Sequence, residues 1–163
     1  MARTVRPPTE DDTWAIQRVA RRSWHAAHDP IIGEDAVDEF VDDHYDEESI
    51  RQNVTDPDGL FYVVEDETRE VVGFIAVAPD DDDVFVIGGL YVHPDYWGQG
   101  FGTSLLERAE SSVVERGGEK LHLVVMAENE VAVRFYESRG FDKIDEQYDE
   151  AIDTMTYVYA KDL

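Results

Sequence analysis

The stretch YWGQGFGTSLLERAE, residues 96–110, places glycines at 98, 100 and 102 and then settles into helical spacing. A glycine-padded turn at the mouth of a helix has two physical explanations. Its amides can converge on an anion at the positive end of the helix dipole, or it can be a tight connection between packed elements and nothing more. A P-loop would follow its last glycine with Lys and then Ser or Thr, whereas Gly102 is followed by Thr103 and Ser104. A dinucleotide fingerprint is spaced G-x-G-x-x-G, and this one is G-x-G-x-G. Taken alone, the loop leaves cradle and turn both open.

Outward from the loop, the pattern defines a fold. Upstream, LFYVVE and VVGFIAVA flank the polar turn DETRE and read as an antiparallel hairpin. The acidic loop PDDDD follows, then VFVIGGLYVH, whose paired Gly88 and Gly89 mark a bulge or a close approach by another backbone or a ligand. Downstream, Phe101, Leu105, Ala109 and Val113 line one side of a helix that stops at Gly117 and Gly118. LHLVVM is a buried strand, and Asn129 caps a helix whose inward face carries Val131, Ala132, Phe135 and Tyr136, closed by Gly140. Two strands, from about Phe141 to Tyr148 and Thr154 to Ala160, end the chain. Before the hairpin, Thr4 to Arg6 is a short strand, and Ile16, Val19, Ala20 and Trp24 give a helix one apolar face. His28, Asp29 and Pro30 are expected to end that helix, and one or two short helices fill the segment to Val54. The order predicts a single domain over residues 1–163, α/β of the α+β type, with a largely antiparallel sheet and one crossover rather than doubly wound alternation.

Composition narrows the function. The 163 residues include 38 acidic and 14 basic side chains, a formal charge of -24. A polyanion repels nucleic acid and anionic membrane, so neither is an expected partner. Only Lys120, Lys143 and Lys161 are lysines, and the acidity runs the whole length of the chain, a pattern that reads as a surface adapted to strong salt. Without cysteine there is no disulfide, thiolate metal site or Cys nucleophile. No apolar run approaches the ~18 residues of a membrane span, and Met1 to Pro8 has no hydrophobic signal core, so a soluble, cytoplasmic protein is expected.

GGLYVHPDYWGQGFGTSLLERAE together with NEVAVRFYESRGF resembles the acetyl-coenzyme A site of the GNAT superfamily of N-acetyltransferases. The first segment follows that family's Q/R-x-x-G-x-G/A signature after a strand ending V-x-P; the second follows its N-x-x-A-x-x-F-Y-x-x-x-G-F helix. The two cover most of Gly88 to Phe141. Trp97 departs from the pattern, standing where Gln or Arg is usual.

The resemblance implies a twisted sheet of about six or seven strands flanked by helices, with a splayed central strand. It implies acetyl-CoA as co-substrate, with no metal, and transfer of the acetyl group to the amine of a small molecule, protein or peptide by direct attack in a ternary complex. A homodimer is compatible with it. Cofactor contacts fall on Leu90, Tyr91 and Val92, whose backbone would pair with the pantetheine arm, on the loop Trp97, Gly98, Gln99, Gly100, Phe101, Gly102 and Thr103, and on Asn129. An amide near Val92 would hold the thioester carbonyl. Tyr136 would hydrogen-bond or protonate the departing thiolate, with core packing beside Phe135 as its plain structural role. RRSWHAAHDPIIGE resembles the acceptor side of the cleft, making Trp24, His28 and Tyr45 substrate-pocket candidates. Many relatives carry a glutamate base where Gly88 and Gly89 stand; His28, His25, Glu128 or a carboxylate acting through water are the alternatives. Arg108, Arg134 and Arg139 are candidates for a local positive rim. A non-catalytic acyl-CoA sensor and a nicotinamide-binding protein remain rival readings.

Overall fold

The structure, a computed structural model, describes residues 3–163; Met1 and Ala2, the head of the segment scanned for a signal core, lie outside the described residues. A first strand, β1 (Thr4–Arg6), is followed by three helices, α1 (Thr13–Ile32), α2 (Glu34–His44) and α3 (Glu47–Thr55). Then come β2 (Leu60–Glu65), β3 (Val71–Pro79), β4 (Val84–Val92), α4 (Phe101–Glu115), β5 (Lys120–Met126), α5 (Glu130–Ser138), β6 (Asp142–Asp149) and β7 (Thr154–Asp162). The strands form one sheet in the order β1-β2-β3-β4-β5-β7-β6, in which β4 and β5 are parallel and every other pair is antiparallel. Helix α4 is the crossover that a parallel pair requires.

Local chemistry places the elements. Thr9 N–H donates to Asp12 Oδ2 at 2.7 Å in a capping box before α1, and Arg6 at the end of β1 grips the same carboxylate at 2.8 Å. Burial pushes the Asp12 carboxyl up, but the Arg6 and Thr9 hydrogen bonds win and hold it below the ordinary range. Ile16, Val19, Ala20 and Trp24 are buried, as their spacing requires. The helix does not stop at His28–Pro30, however. It runs through Pro30 to Ile32 and closes at Gly33, whose φ is +91°. Proline removes one ladder bond; here Ile31 and Ile32 pack against Trp24, Val37, Val41 and Met126, and that burial offsets the loss.

The two faces of the sheet bury different helices. Leu105, Ala109 and Val113 of α4, with Tyr136 of α5, meet Val64, Ile75 and Leu121 on one face; Ile16, Val19 and Ile50 of α1 and α3 meet Phe61, Val63 and Phe74 on the other. Helix α5 turns Val131 outward, 63% exposed, where an inward position was expected, because Tyr136, Phe135 and Ala132 already fill the face toward the sheet. The last two strands run slightly past their expected ends, to Asp149 and Asp162.

The expected irregularity at the double glycine is a bulge. Ala76 of β3 opposes Gly89 and Val77 opposes Ile87, which leaves Gly88 as the extra residue. Gly89 has a separate reason to lack a side chain. A Cβ there would lie 2.8 Å from the Tyr91 ring and 2.9 Å from the Tyr45 hydroxyl.

Candidate active site

Strands β4 and β5 pair from Val84–Lys120 to Ile87–Leu123 and then part. Beyond the bulge, Gly89–Val92 stays paired to β3 on one edge, while Val124–Met126 pairs to β7, so the facing edges are free of one another. His93 N–H donates to Val72 O on β3, and alternation along a strand therefore turns the Val92 N–H toward the gap. The gap opens into a cavity of about 560 Å³ that runs from the glycine loop to α1 and the β6–β7 hairpin.

At the loop end, Gly98 and Gly100 adopt φ of +76° and +88°, backbone that side chains disfavour. Gly100 is the N-cap of α4, and a Cβ built at Gly98 would meet nothing within 4 Å, so the loop's hollow is open. Trp97 folds back, its indole N–H donating to Val92 O at 2.7 Å, and thereby clips the loop to the end of β4. Gln99 turns its side chain to Asp95 O at 3.3 Å and does not line the cavity. Arg3 donates to the Gln99 carbonyl, and its guanidinium lies 4.3 Å from the centre of the Phe101 ring. Since a trans peptide points N–H and C=O oppositely, the Gly100 amide faces away from Arg3. Nothing in the local sequence signals that contact; it spans 96 positions.

Tyr136 lines the cavity, held edge-on by Phe135 at 5.3 Å and Phe141 at 5.5 Å. Burial pushes its hydroxyl well above the ordinary tyrosine range, so it stays protonated and able to donate. Leu90, Tyr91, Val92, Phe101, Gly102 and Thr103 line the same space. Asn129 does two things at once. Its Oδ1 accepts the Ala132 N–H at 3.2 Å, capping α5, and its Nδ2 lies 3.2 Å from His28 Nε2. The cap fixes the amide orientation, so Nδ2 donates and His28 Nε2 must accept; the network thus assigns the ring proton to Nδ1. His28 Nδ1 is buried and without a partner among the described residues. Burial lowers the His28 pKa to about 4 and keeps the ring neutral.

Trp24 and His28 both line the cavity, with ring centroids 4.1 Å apart. Tyr45 does not. Its ring packs against Phe74 and Tyr91, and it lines a smaller cavity of about 230 Å³ between α2, α3 and the sheet. Of the other candidate bases, His25 has both ring nitrogens bonded, to Asp29 at 2.7 Å and Asp38 at 2.8 Å, and Glu128 meets Thr154 Oγ1 at 3.4 Å; neither lines the cavity. His93 is buried at the strand end and accepts the Asp95 N–H. Of the arginines, Arg139 lines the cavity, whereas Arg108 donates to Val5 O and Arg134 faces Glu130. Asp149 is the carboxylate that sequence reading missed: among the described residues it is the only acidic side chain lining the cavity. Four other acids in the stretch from Asp142 to Glu150 hid it. Among the described residues, no group of three or more His, Asp or Glu is placed to hold a metal ion, and no helix is long and apolar enough to cross a membrane.

Residues 14–141 match the family model described as the acetyltransferase (GNAT) family. An acetyltransferase of Pectobacterium atrosepticum is 34% identical over 92 residues, 55% of this chain and 62% of that protein, so the match spans under two thirds of the relative's length. An N-acetyltransferase of Mycobacterium tuberculosis, described as uncharacterized, is 26% identical over 80% of this chain and 83% of its own. Among solved structures, the PaiA N-acetyltransferase of Thermoplasma acidophilum in complex with coenzyme A superposes with a TM-score of 0.88 over 100% of both chains at 23% identity. The ribosomal-protein-S18-alanine N-acetyltransferase of Escherichia coli does so with 0.74 over 99% of this chain and 94% of that one, at 21% identity. At such identities the structural likeness speaks for the fold alone.

Proposed function

This chain belongs to the GNAT family of acetyltransferases, and from that premise we propose that it transfers an acetyl group from acetyl-CoA to a primary amine by direct attack in a ternary complex. The observation that carries the reading is the parting of β4 from β5 beside an open glycine loop, with a protonated tyrosine facing the gap. Acetyl-CoA, the co-substrate, supplies an acyl group activated as a thioester. The amides of the Gly98–Thr103 loop, at the N-terminus of α4, suit its pyrophosphate. The free edge of Gly88–Val92 suits the amides of its pantetheine arm, and Asn129 stands beside that path.

The chain's own groups divide the chemistry. The neutral amine's lone pair forms the new C–N bond at the acyl carbon, and the surplus proton on the nitrogen passes to solvent. The Val92 N–H stabilises the charge that gathers on the carbonyl oxygen. As the C–S bond breaks, Tyr136 donates its hydrogen to the departing thiolate. The raised pKa favours hydrogen-bond donation over complete proton transfer, since a thiol near ~8.5 is the stronger acid. Trp24 and His28 stand on the acceptor side.

We read all 163 residues as one catalytic domain working in the cytoplasm. The charge of -24 argues against nucleic acid or anionic membrane as partners and for a surface adapted to strong salt, which also screens the approach of an anionic co-substrate. Calorimetric titration of acetyl-CoA in molar KCl, followed by a free-thiol assay against a panel of amines, tests the proposal. Binding with thiol release is the expected result. Binding without release from any amine would make the chain an acyl-CoA sensor, and no binding would return the glycines to a tight turn.

A further inference from the structure

Among its described lining residues the cavity carries one formal charge of each sign. Arg139, the one cation among its described lining residues, lies with its guanidinium 5.8 Å from the Phe135 ring, and Phe135 packs 3.5 Å from where a Cβ would stand on Gly102 of the glycine loop. Asp149, the one anion among those described lining residues, stands in the β6–β7 hairpin. It pairs across the β6–β7 hairpin with Thr154, which bonds Glu128, the residue before Asn129 and the His28 contact. One Asp149 oxygen accepts the Ala151 N–H at 2.9 Å, which holds the carboxylate in a turn of its own hairpin. It remains half-buried.

The wall near Asp149 is apolar. Ile152 of the same hairpin packs in one cluster with Trp24, Phe40 and Met126. Phe40 is stacked on both sides, by Trp24 at 4.0 Å and 23° and by His44 at 4.0 Å and 17°. An aromatic ring covered on both faces offers the cavity its edge, which carries the positive side of the quadrupole. A cation gains nothing there, whereas an apolar chain or the face of another ring does. The site therefore has a place for one ammonium and no cage for a second.

Resting on the reading of this cavity as the place of acetyl transfer, we infer that the acceptor is a singly charged primary amine on an aromatic or branched apolar body. It arrives as an ammonium at Asp149, sheds a proton to solvent to free the attacking lone pair, and packs its body against Trp24, Phe40 and Ile152. This names the acceptor class and adds Asp149 as a binding residue for it.

The test uses the full chain in molar KCl with saturating acetyl-CoA. Thiol release is followed with 2-phenylethylamine, ethylamine, spermidine and a short peptide bearing a free N-terminus, on the wild type and on Asp149→Asn, which keeps the turn bond to Ala151. The expected result is a kcat/KM for 2-phenylethylamine roughly ten-fold or more above the others. Asp149→Asn should raise its KM by a similar factor, the size of one charged hydrogen bond, with kcat and acetyl-CoA affinity little changed. Calorimetry on the protein–CoA complex supplies a second readout: 2-phenylethylamine should bind better than uncharged 2-phenylethanol to the wild type but not to Asp149→Asn. Preference for spermidine or the peptide, or an unmoved KM in the variant, would overturn the acceptor class while leaving the transferase intact. Bound acetyl-CoA with no thiol release from any amine would instead overturn the transferase reading and this inference with it.

Discussion

Lowering the pH from about 7.5 to about 4.5 should weaken the fold through one residue, His28, by an amount the structure sets. Its imidazole is buried, 5% exposed, and its pKa falls from the ordinary 6.5 to about 4. The unfolded chain therefore takes up the proton first as the pH drops. Stability from the neutral ring is whole above 6.5 and drains away as the pH falls toward 4. Each tenfold in proton affinity is worth about 1.4 kcal/mol, so the loss reaches about 1.4 kcal/mol near pH 5.5 and about 2.5 kcal/mol near pH 4.5. Protonation also removes the Nε2 lone pair that accepts from Asn129, so the N-terminus of α5 loosens with it. The 38 acidic side chains titrate in the same range, some relieving repulsion and some, like Asp12, losing an ion pair. A difference experiment removes them: urea unfolding of the wild type and of His28→Gln, both in molar KCl, followed by circular dichroism across the pH range. The stability difference between the two should shrink by about 2.5 kcal/mol toward the acid end, which for a chain of this size is roughly 5–10 °C in Tm. Parallel pH curves for the two proteins would refute the assignment of His28 as a neutral buried acceptor.

Tyr136→Phe should lower turnover ten-fold or more, on the scale of one general-acid contribution, while acetyl-CoA affinity by calorimetry barely moves; an unchanged rate removes Tyr136 from the chemistry. Gly118→Ala forces a Cβ to within 2.3 Å of Val113 Cγ1 and 2.8 Å of the Phe85 ring, both buried, and should cost about 1–3 kcal/mol in urea unfolding. Gly88→Ala, whose Cβ would meet only the Ala76 carbonyl at 3.8 Å, should cost far less, and equal losses at the two glycines would contradict the packing argument. Thermal stability should rise from dilute buffer to molar KCl as counterions screen a charge of -24; an unchanged or falling Tm would rule out salt adaptation of the surface.

Much of the fold was legible because it rests on local rules. Runs rich in β-branched and aromatic residues marked β2, β3 and β4; three-to-four spacing marked α4, whose Phe101, Leu105, Ala109 and Val113 are all buried. Asn129 and Gly140 announced the ends of α5. Pro30 misled, because the signal for a stop is local and the packing of Ile31 and Ile32 that overrides it is not. Tyr45 misled for the same reason: an aromatic near a cleft-forming segment can face either side of the sheet, and here it packs on Phe74 and Tyr91.

By itself, then, the sequence determined the order of elements, the glycine loop at the mouth of α4, an irregularity at Gly88 and Gly89, and the family. These follow from backbone freedom and hydrophobic period, which act over a few residues. Only the tertiary structure decided which side chains meet. Arg3 reaches Gln99 across 96 positions, His28 meets Asn129 across 101, and a single hairpin carboxylate out of many turns into the cavity. Such meetings depend on how the sheet twists and where β4 leaves β5, and no run of neighbouring residues encodes that.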